Sequence, residues 1–560
     1  MLSGGSVPIN SADYHLLIVS DLHLSEGRDE RTHRLSRNED FFFDEEFARF
    51  LNFHVHLDAS RKWHLIINGD FLDFLQVIST DFEPEFLQYL GVANEAEARD
   101  LLKIGRQDTR FGFDAGPGES VFKLWKILDG HWLFTLALVR FLESGNLVSI
   151  GRGNHDPEFA YDIIREHFRR MLVWFYSRKR DDVPDAVNVR NFERICAQQV
   201  QFLDWFYYEP GVIWAEHGGQ YDSLNCFPHW LAPYLPHSDH IEVPWGSFFV
   251  RYLFDSIETE EPFADNIKPQ SRFVLWFVTH RPALAIRFIF GNGKYMLKKM
   301  ARAWRGMPKS NPRQREHEKL RAALEQQWNL PGGTLADLDA QQADSVLRKP
   351  HGIWKLWKWL TREWKLSLIL LAYILVTIVI GAILIIAQIV APIVPEIIRH
   401  PFLSLMHTHG WLRPVLDVLL VSRAFTFVYL LLALGYLIWQ MFPHPLSQCY
   451  LVPKAEYVRN KLNVDYVTMG HTHDTDLSSV GPAGEYYNTG TWTKVFSQDE
   501  RLIREESELV FLQGMREPSG LKCKLMRWND GANEPRLVKL FTDVAPANVK
   551  RKRRARAARA

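Results

Sequence analysis

Residues 128–156 read LDGHWLFTLALVRFLESGNLVSIGRGNHD, and this stretch decides the fold class. Across residues 122–143 apolar side chains recur every three or four positions, the spacing of a helix face, and Gly145 follows as a stop signal. The short apolar run 147–151 then reads as a buried strand, and it ends directly in Asn154, His155 and Asp156. Residues 16–20, 64–68 and 212–216 repeat the pattern, each an apolar run that opens into polar residues. Strand, helix and strand in alternation predict a layered α/β domain with functional groups at the C-terminal ends of its strands.

The 560 residues are 47% hydrophobic and 24% charged, a composition that excludes a disordered chain and supports several packed units. Lys+Arg and Asp+Glu each number 66, so no net charge attracts nucleic acid and no nucleic-acid partner is expected. Cys196, Cys226, Cys449 and Cys523 lack C-x-x-C spacing, which argues against a zinc ribbon or a disulfide framework. The residues before the first apolar run do not have the make-up of a cleaved secretory signal.

Composition changes over residues 227–461, where strand patterns fade and long apolar segments appear, as in an all-α insertion. Residues 366–395 and 425–442 carry no charged side chain over 30 and 18 positions, against about 20 needed to cross a bilayer core. Two transmembrane helices are therefore expected, near 366–390 and 424–442. Strand patterns return at 464–469, 485–488, 508–513, 521–528 and 536–541. The expected organisation is a first domain part at 14–226, the insertion, a second part at 462–545, and a basic tail at 546–560. That tail, ending KRKRRARAARA, reads as a solvated end or as a segment attracted to anionic lipid.

Five strand-end clusters hold hard oxygen donors and imidazoles. They are SDLH with Asp21 and His23, NGDFLD with Asp70 and Asp73, GNHD with Asn154 and His155, EHGG with His217, and GHTH with His471 and His473. Each alone is a common accident of sequence; their joint order, D-x-H, G-D-x-x-D, G-N-H-D, H, G-H-x-H, resembles the calcineurin-like metallophosphoesterase superfamily. The resemblance covers roughly residues 14–225 and 462–495. Within the superfamily, the run 128–156 and NTGTW at 488–492 look most like the branch of UDP-2,3-diacylglucosamine diphosphatases. One position departs from that branch, since His155 stands where it commonly carries Arg.

The resemblance implies a layered β-sandwich flanked by helices and a centre of two divalent metal ions. Asp21, His23 and His473 would hold one cation and Asn154, His217 and His471 the other, with Asp70 bridging. His155 would be the general acid, with Asp73 its orienting partner; a capping carboxylate is an equal reading of Asp73. Two cations about 3.5–4 Å apart can activate a water as hydroxide and neutralise phosphoryl oxygens. The donor types suit Mn²⁺ first, with Fe or Zn²⁺ as alternatives. Asp156, Asp222 and Asp474 read as supporting loop carboxylates, and His229, His237 and His240 as an accessory site or, more simply, an aromatic rim loop.

Donors on both sides of the insertion meet only if the number of spans between them is even, which two satisfy. Arg348, Lys349, Lys355, Lys358, Arg362 and Lys365 flank the first span, and by the positive-inside rule the catalytic domain is expected on the cytoplasmic side of an integral membrane protein. The expected partners are the bilayer and a phosphorylated substrate, lipid-linked or nucleotide-diphosphate-linked; oligomeric state is not readable. The alternatives are a phosphodiesterase on soluble nucleotides with the spans as a tether, and a catalytically inactive membrane scaffold.

Overall fold

Strand β1, Tyr14–Val19, is apolar from Leu16 to Val19 because both of its faces are covered there. Leu16 and Ile18 enter one buried cluster while Leu17 and Val19 enter another, as the two-residue period of a strand requires. A computed structural model of the chain describes residues 13–29, 32–58, 60–105, 109–180, 184–235, 238–254, 267–268, 280–284, 312–343, 451–482, 484–499, 502–506 and 509–538.

Three further strands follow β1 in parallel: β2 (Lys62–Asn68), β3 (Leu147–Gly151) and β4 (Val200–Leu203). Then come β5 (Phe206–Glu209), β6 (Ile213–Glu216), β7 (Ile267–Lys268), β8 (Tyr466–Met469), β9 (Asp476–Val480), β10 (Gly484–Asn488), β11 (Val495–Asp499), β12 (Leu502–Glu506), β13 (Val510–Glu517), β14 (Gly520–Asn529) and β15 (Glu534–Leu537). One sheet has the order β15-β14-β13-β1-β2-β3-β4 and a second the order β5-β6-β8-β10-β9. Ile18, Ile66, Leu512 and Leu525 of the first sheet share a buried cluster with Ile213, Ala215 and Tyr487 of the second, so the two sheets pack face to face.

Helices cover the outer faces. Against the first sheet lie α1 (Asp44–Leu57), α5 (Trp132–Glu143) and α7 (Ala186–Gln199), with α4 (Pro117–Gly130) and α6 (Asp162–Arg178) packed beside them; α2 (Pro84–Leu90) and α3 (Glu95–Leu101) precede α4. Later come α8 (Trp245–Phe249), α9 (Pro312–Gln327), α10 (Thr334–Asp339) and α11 (Val452–Leu462), of which α11 lies against β8, β9 and β10. Each amphipathic helix buries one apolar stripe, as with Phe47, Phe50 and Leu51 of α1.

Several expectations are corrected. The helical pattern at 122–143 is two helices, broken at His131, because a Cβ on Gly130 would lie 1.8 Å from the Glu26 carbonyl oxygen and His131 is drawn between Glu39 and Asp44. The region read as an all-α insertion contains β7, which pairs with β11. The two transmembrane helices of the expected fold class are not upheld. No helix among the described residues is long and apolar enough to cross a membrane. The longest of them, α6, has 17 residues and carries Arg and Glu side chains, about 25 Å of charged helix against a core of about 30 Å. The segments read as spans, 366–390 and 424–442, lie outside the described residues, as do the basic flank 348–365 and the tail 546–560. The integral-membrane placement with a cytoplasmic catalytic side loses its support with them, and the fold stands as mixed α/β with two packed sheets. Residues 1–353 and 449–558 form one compact unit and residues 354–448 belong to another.

Candidate metal centre

Parallel pairing sets the donors side by side. The registers Val19↔Ile67 and Ile67↔Ile150 align the ends of β1, β2 and β3, so the loops carrying Asp21, Asp70 and Asn154 leave one edge of the first sheet together. In the second sheet Ala215↔Thr468 and Met469↔Asn488 do the same for His217, His471 and the NTGTW segment. Hydrogen bonds join the two edges. The His471 amide donates to both Asp21 carboxylate oxygens at 3.0 Å, the Thr491 hydroxyl donates to the Asp21 carbonyl at 2.7 Å, and Ser20 and Thr489 share a hydroxyl pair at 2.7 Å.

The loops are tightly wound. Asp21, His23, Asp70, His471 and His473 all hold positive φ, between 48° and 70°, and make up five of the eleven non-glycine residues in that state among the described residues. Such backbone costs on the order of 1–3 kcal/mol at each position and persists only where surrounding structure enforces it. Here the Leu22 and His23 amides donate to the Asp70 carbonyl at 2.9 and 3.0 Å, tying one loop to the next.

Three groups of donors result, each with ligand atoms within 4.8 Å of one another: two made of residues named as ligands, Asp21, His23 and His473, and Asp70, His217 and His471, and a third of His23, Asp73 and His155. His23 Nε2 lies 3.1 Å from His473 Nε2, and both face Asp21 Oδ1, at 4.0 and 3.4 Å. His217 Nε2 lies 3.1 Å from Asp70 Oδ2 and 3.2 Å from Asn154 Oδ1. The same Asp70 oxygen is 3.8 Å from His23 Nε2, so it faces both ligand groups. All seven residues named from sequence as ligands thus lie in one cluster, and it could hold a metal ion.

The imidazoles are also held from outside. His217 Nδ1 bonds the Asn68 carbonyl at 3.2 Å, His23 Nδ1 lies 3.4 Å from Asp73 Oδ2, and His471 Nε2 bonds Asp222 Oδ2 at 3.1 Å. Ligating imidazoles ordinarily donate their second nitrogen in this way, which fixes the tautomer and leaves the other nitrogen as a lone-pair donor.

His155 stands beside the cluster, its Nδ1 2.6 Å from Asp73 Oδ2 and its amide donating to Asp70 Oδ1 at 2.8 Å. Asp73 has two sets of partners, and no helix follows it directly, so the reading as a helix cap is not met. Its Oδ1 accepts the Leu75 and Gln76 amides of a turn while Oδ2 serves His155 and His23.

Electrostatics favour a cation. Burial pushes the Asp21 carboxyl up, but a hydrogen bond with His473 and the charge of His217 bring it down to about 2. Asp70 is likewise raised by burial and carried well below the carboxylate range by His217, His155 and His23. Burial and the adjacent Asp70 charge push Asp156 up to about 6 against the pull of the Gly153 and Phe71 amides, a sign of crowded negative charge. His217, lowered by burial but drawn by Asp70, Asp21 and Asp156, rises to about 9. The positive charges that lower Asp21 and Asp70 are imidazolium groups, and a divalent ion would displace those protons and meet the same need.

Of the supporting carboxylates, Asp156 takes the Phe71 and Gly153 amides and Asp222 takes His471, while the Asp474 amide donates to Thr472 Oγ1 at 3.4 Å. His229 lies against His317, and His240 bonds Ser238; neither enters a metal-binding group among the described residues, and His237 lies outside them. Sequence reasoning did not single out Asp222 as the partner of His471, because 249 residues separate them. No family model, curated protein or solved structure matches the chain.

Proposed function

We propose that this chain is a hydrolase of the calcineurin-like metallophosphoesterase type, cleaving a phosphate ester or pyrophosphate bond at a pair of divalent cations. The observation that carries the reading is the single Asp70 oxygen facing an imidazole from each ligand group, at 3.1 and 3.8 Å. A carboxylate so placed suits a bridge, since its charge offsets the repulsion of two neighbouring cations. Asp21, His23 and His473 would hold one ion and Asn154, His217 and His471 the other; Mn²⁺ suits the oxygen and nitrogen donors first, then Fe or Zn²⁺. When bound, such ions supply an activated water and neutralise phosphoryl charge.

The protein's own groups do the rest. Asp73 fixes His155 Nδ1, which leaves Nε2 as the nitrogen that gives a proton to the leaving oxygen. The Asp73 carboxyl, raised by burial but lowered further by His155 and His23, lies below the usual range and so stays ionised to favour imidazolium. The left-handed loops hold the donors in place before substrate arrives, so little reorganisation remains for the reaction itself.

The test presents the purified full chain, with Mn²⁺, to monoester, diester and pyrophosphate substrates, including lipid-tailed and nucleotide-diphosphate-linked ones. Hydrolysis of at least one class is expected, with about 10²–10⁴-fold loss of kcat in His155→Ala. Asp70→Ala should lose both turnover and Mn²⁺ binding. Turnover that survives Asp70→Ala, or no hydrolysis of any class, overturns the proposal.

A further inference from the structure

We infer that Asp222 is a positioning residue that selects the ligating nitrogen of His471, an inference that rests on the proposed metal centre. His471 follows β8 and is one of the three residues of the Asp70 group. Its Nε2 lies 3.1 Å from Asp222 Oδ2. A neutral imidazole has one N–H and one lone pair, so donation from Nε2 leaves Nδ1 as the nitrogen able to bind a cation.

The carboxylate is held rigidly enough to impose that choice. Asp222 Oδ1 accepts the Leu224 amide at 2.9 Å, and Oδ2 also accepts Asn225 Nδ2 at 2.8 Å. The Asp222 carbonyl takes the Cys226 amide at 2.8 Å, which closes the turn. Asn225 is fixed in its turn by α8, because a Cβ on Gly246 would lie 2.0 Å from Asn225 Oδ1 and the Gly246 amide donates to the Leu224 carbonyl at 2.8 Å. Ser247, next in α8, reaches the Asn154 carbonyl at 3.5 Å. One short helix therefore backs two donors of the same proposed cation, His471 through Asp222 and Asn225, and Asn154 directly.

Asn at position 222 keeps size and shape but supplies one acceptor oxygen where three donors converge. An amide group facing His471 Nε2 favours the opposite tautomer, in which Nδ1 carries the proton and cannot bind a cation. Asp222→Ala removes the acceptor outright.

The experiment is a calorimetric Mn²⁺ titration of the full chain, its Asp222→Asn and Asp222→Ala variants, with thermal melting of each and ¹⁵N shifts of histidine-labelled protein to read the His471 tautomer. The expected result is two binding steps in the wild type, of which one weakens about 10–100-fold in both variants while the other holds and each variant still melts as a folded protein. The Nε2–H signature of His471 should be lost in Asp222→Asn. Two unchanged steps in both variants, equal weakening of both steps, or an unchanged tautomer overturns the role of Asp222 and leaves the metal centre standing. A wild-type chain that binds no Mn²⁺ fails the metal centre itself, and this inference with it.

Discussion

Gly153 shows how little room the donors leave. A Cβ there would lie 2.0 Å from Asp70 Oδ1 and 2.3 Å from the Asp70 amide nitrogen, a backbone atom and a buried carboxylate that cannot swing aside. Gly153→Ala is therefore expected to displace Asp70, costing about 1–3 kcal/mol of stability and about 10²-fold in turnover. Urea melts and steady-state assays read the two effects, and wild-type turnover in this variant would show that Asp70 does not need its present place. Gly470 repeats the situation on the other sheet, where a Cβ would meet Asp21 Oδ2 at 2.2 Å. Small residues beside ligands let two loops touch, and the ligands in turn adopt left-handed backbone to face inward.

The junction between α4 and α5 turns on one imidazole. His131 is fully enclosed, its Nε2 3.1 Å from Glu39 and its Nδ1 3.0 Å from Asp44, while Glu39 also accepts the Gly27 amide at 2.6 Å. Burial alone would lower the pKa, but Asp44 and Glu39 raise it to about 10, so the ring is a cation that ties α1, the β1–α1 loop and the helix break together. A pKa raised above the unfolded value near 6.5 gives stability that is complete below that value and is lost as pH rises through about 10. His131→Gln keeps a donor and removes the charge, leaving two carboxylates without a counter-ion. It is expected to destabilise the fold by about 3 kcal/mol or more at pH 6.5, with the gap to wild type closing towards pH 10. Melts across that range measure it, and a gap that widens with pH would contradict a protonated His131.

At the scale of the molecule, β13, β14 and β15 complete the first sheet and β8, β9 and β10 the second, while β11 and β12 pair with β7 in a third. β13 pairs with β1, β8 pairs with β6, and Arg516 of β13 bonds both Glu209 oxygens of β5, at 2.5 and 2.7 Å, to clip one sheet to the other. Among the described residues, those on either side of residues 354–448 are neighbours, since Lys454 Nζ donates to the Gln341 carbonyl at 2.7 Å. A chain whose residues 354–448 are replaced by a flexible linker of about 20 residues should accordingly fold and bind Mn²⁺ as the full chain does. Titration of that variant is the check, and loss of binding in a folded protein would mean that 354–448 contributes to the centre.

Strand positions were legible because a buried strand announces itself as a short apolar run. The runs at 147–151 and 212–216 match β3 and β6 closely, whereas β4 and β5, at VQFL and FYYE, carry too little contrast with their surroundings to stand out. The helix break at His131 was not legible, because its cause is a contact with Glu26 and Glu39 about a hundred residues earlier. Hydropathy suggested membrane spans, and the described helices supply none.

What the sequence determined by itself is the set of donors and their place after buried strands, since residue type and local apolar pattern are properties of the chain alone. Tertiary structure decided that the His471 backbone amide donates to the Asp21 carboxylate across 450 residues and that Asp222 holds the His471 imidazole. Pairings at such separation depend on strand register and sheet packing, and these exist only once the distant strands have met.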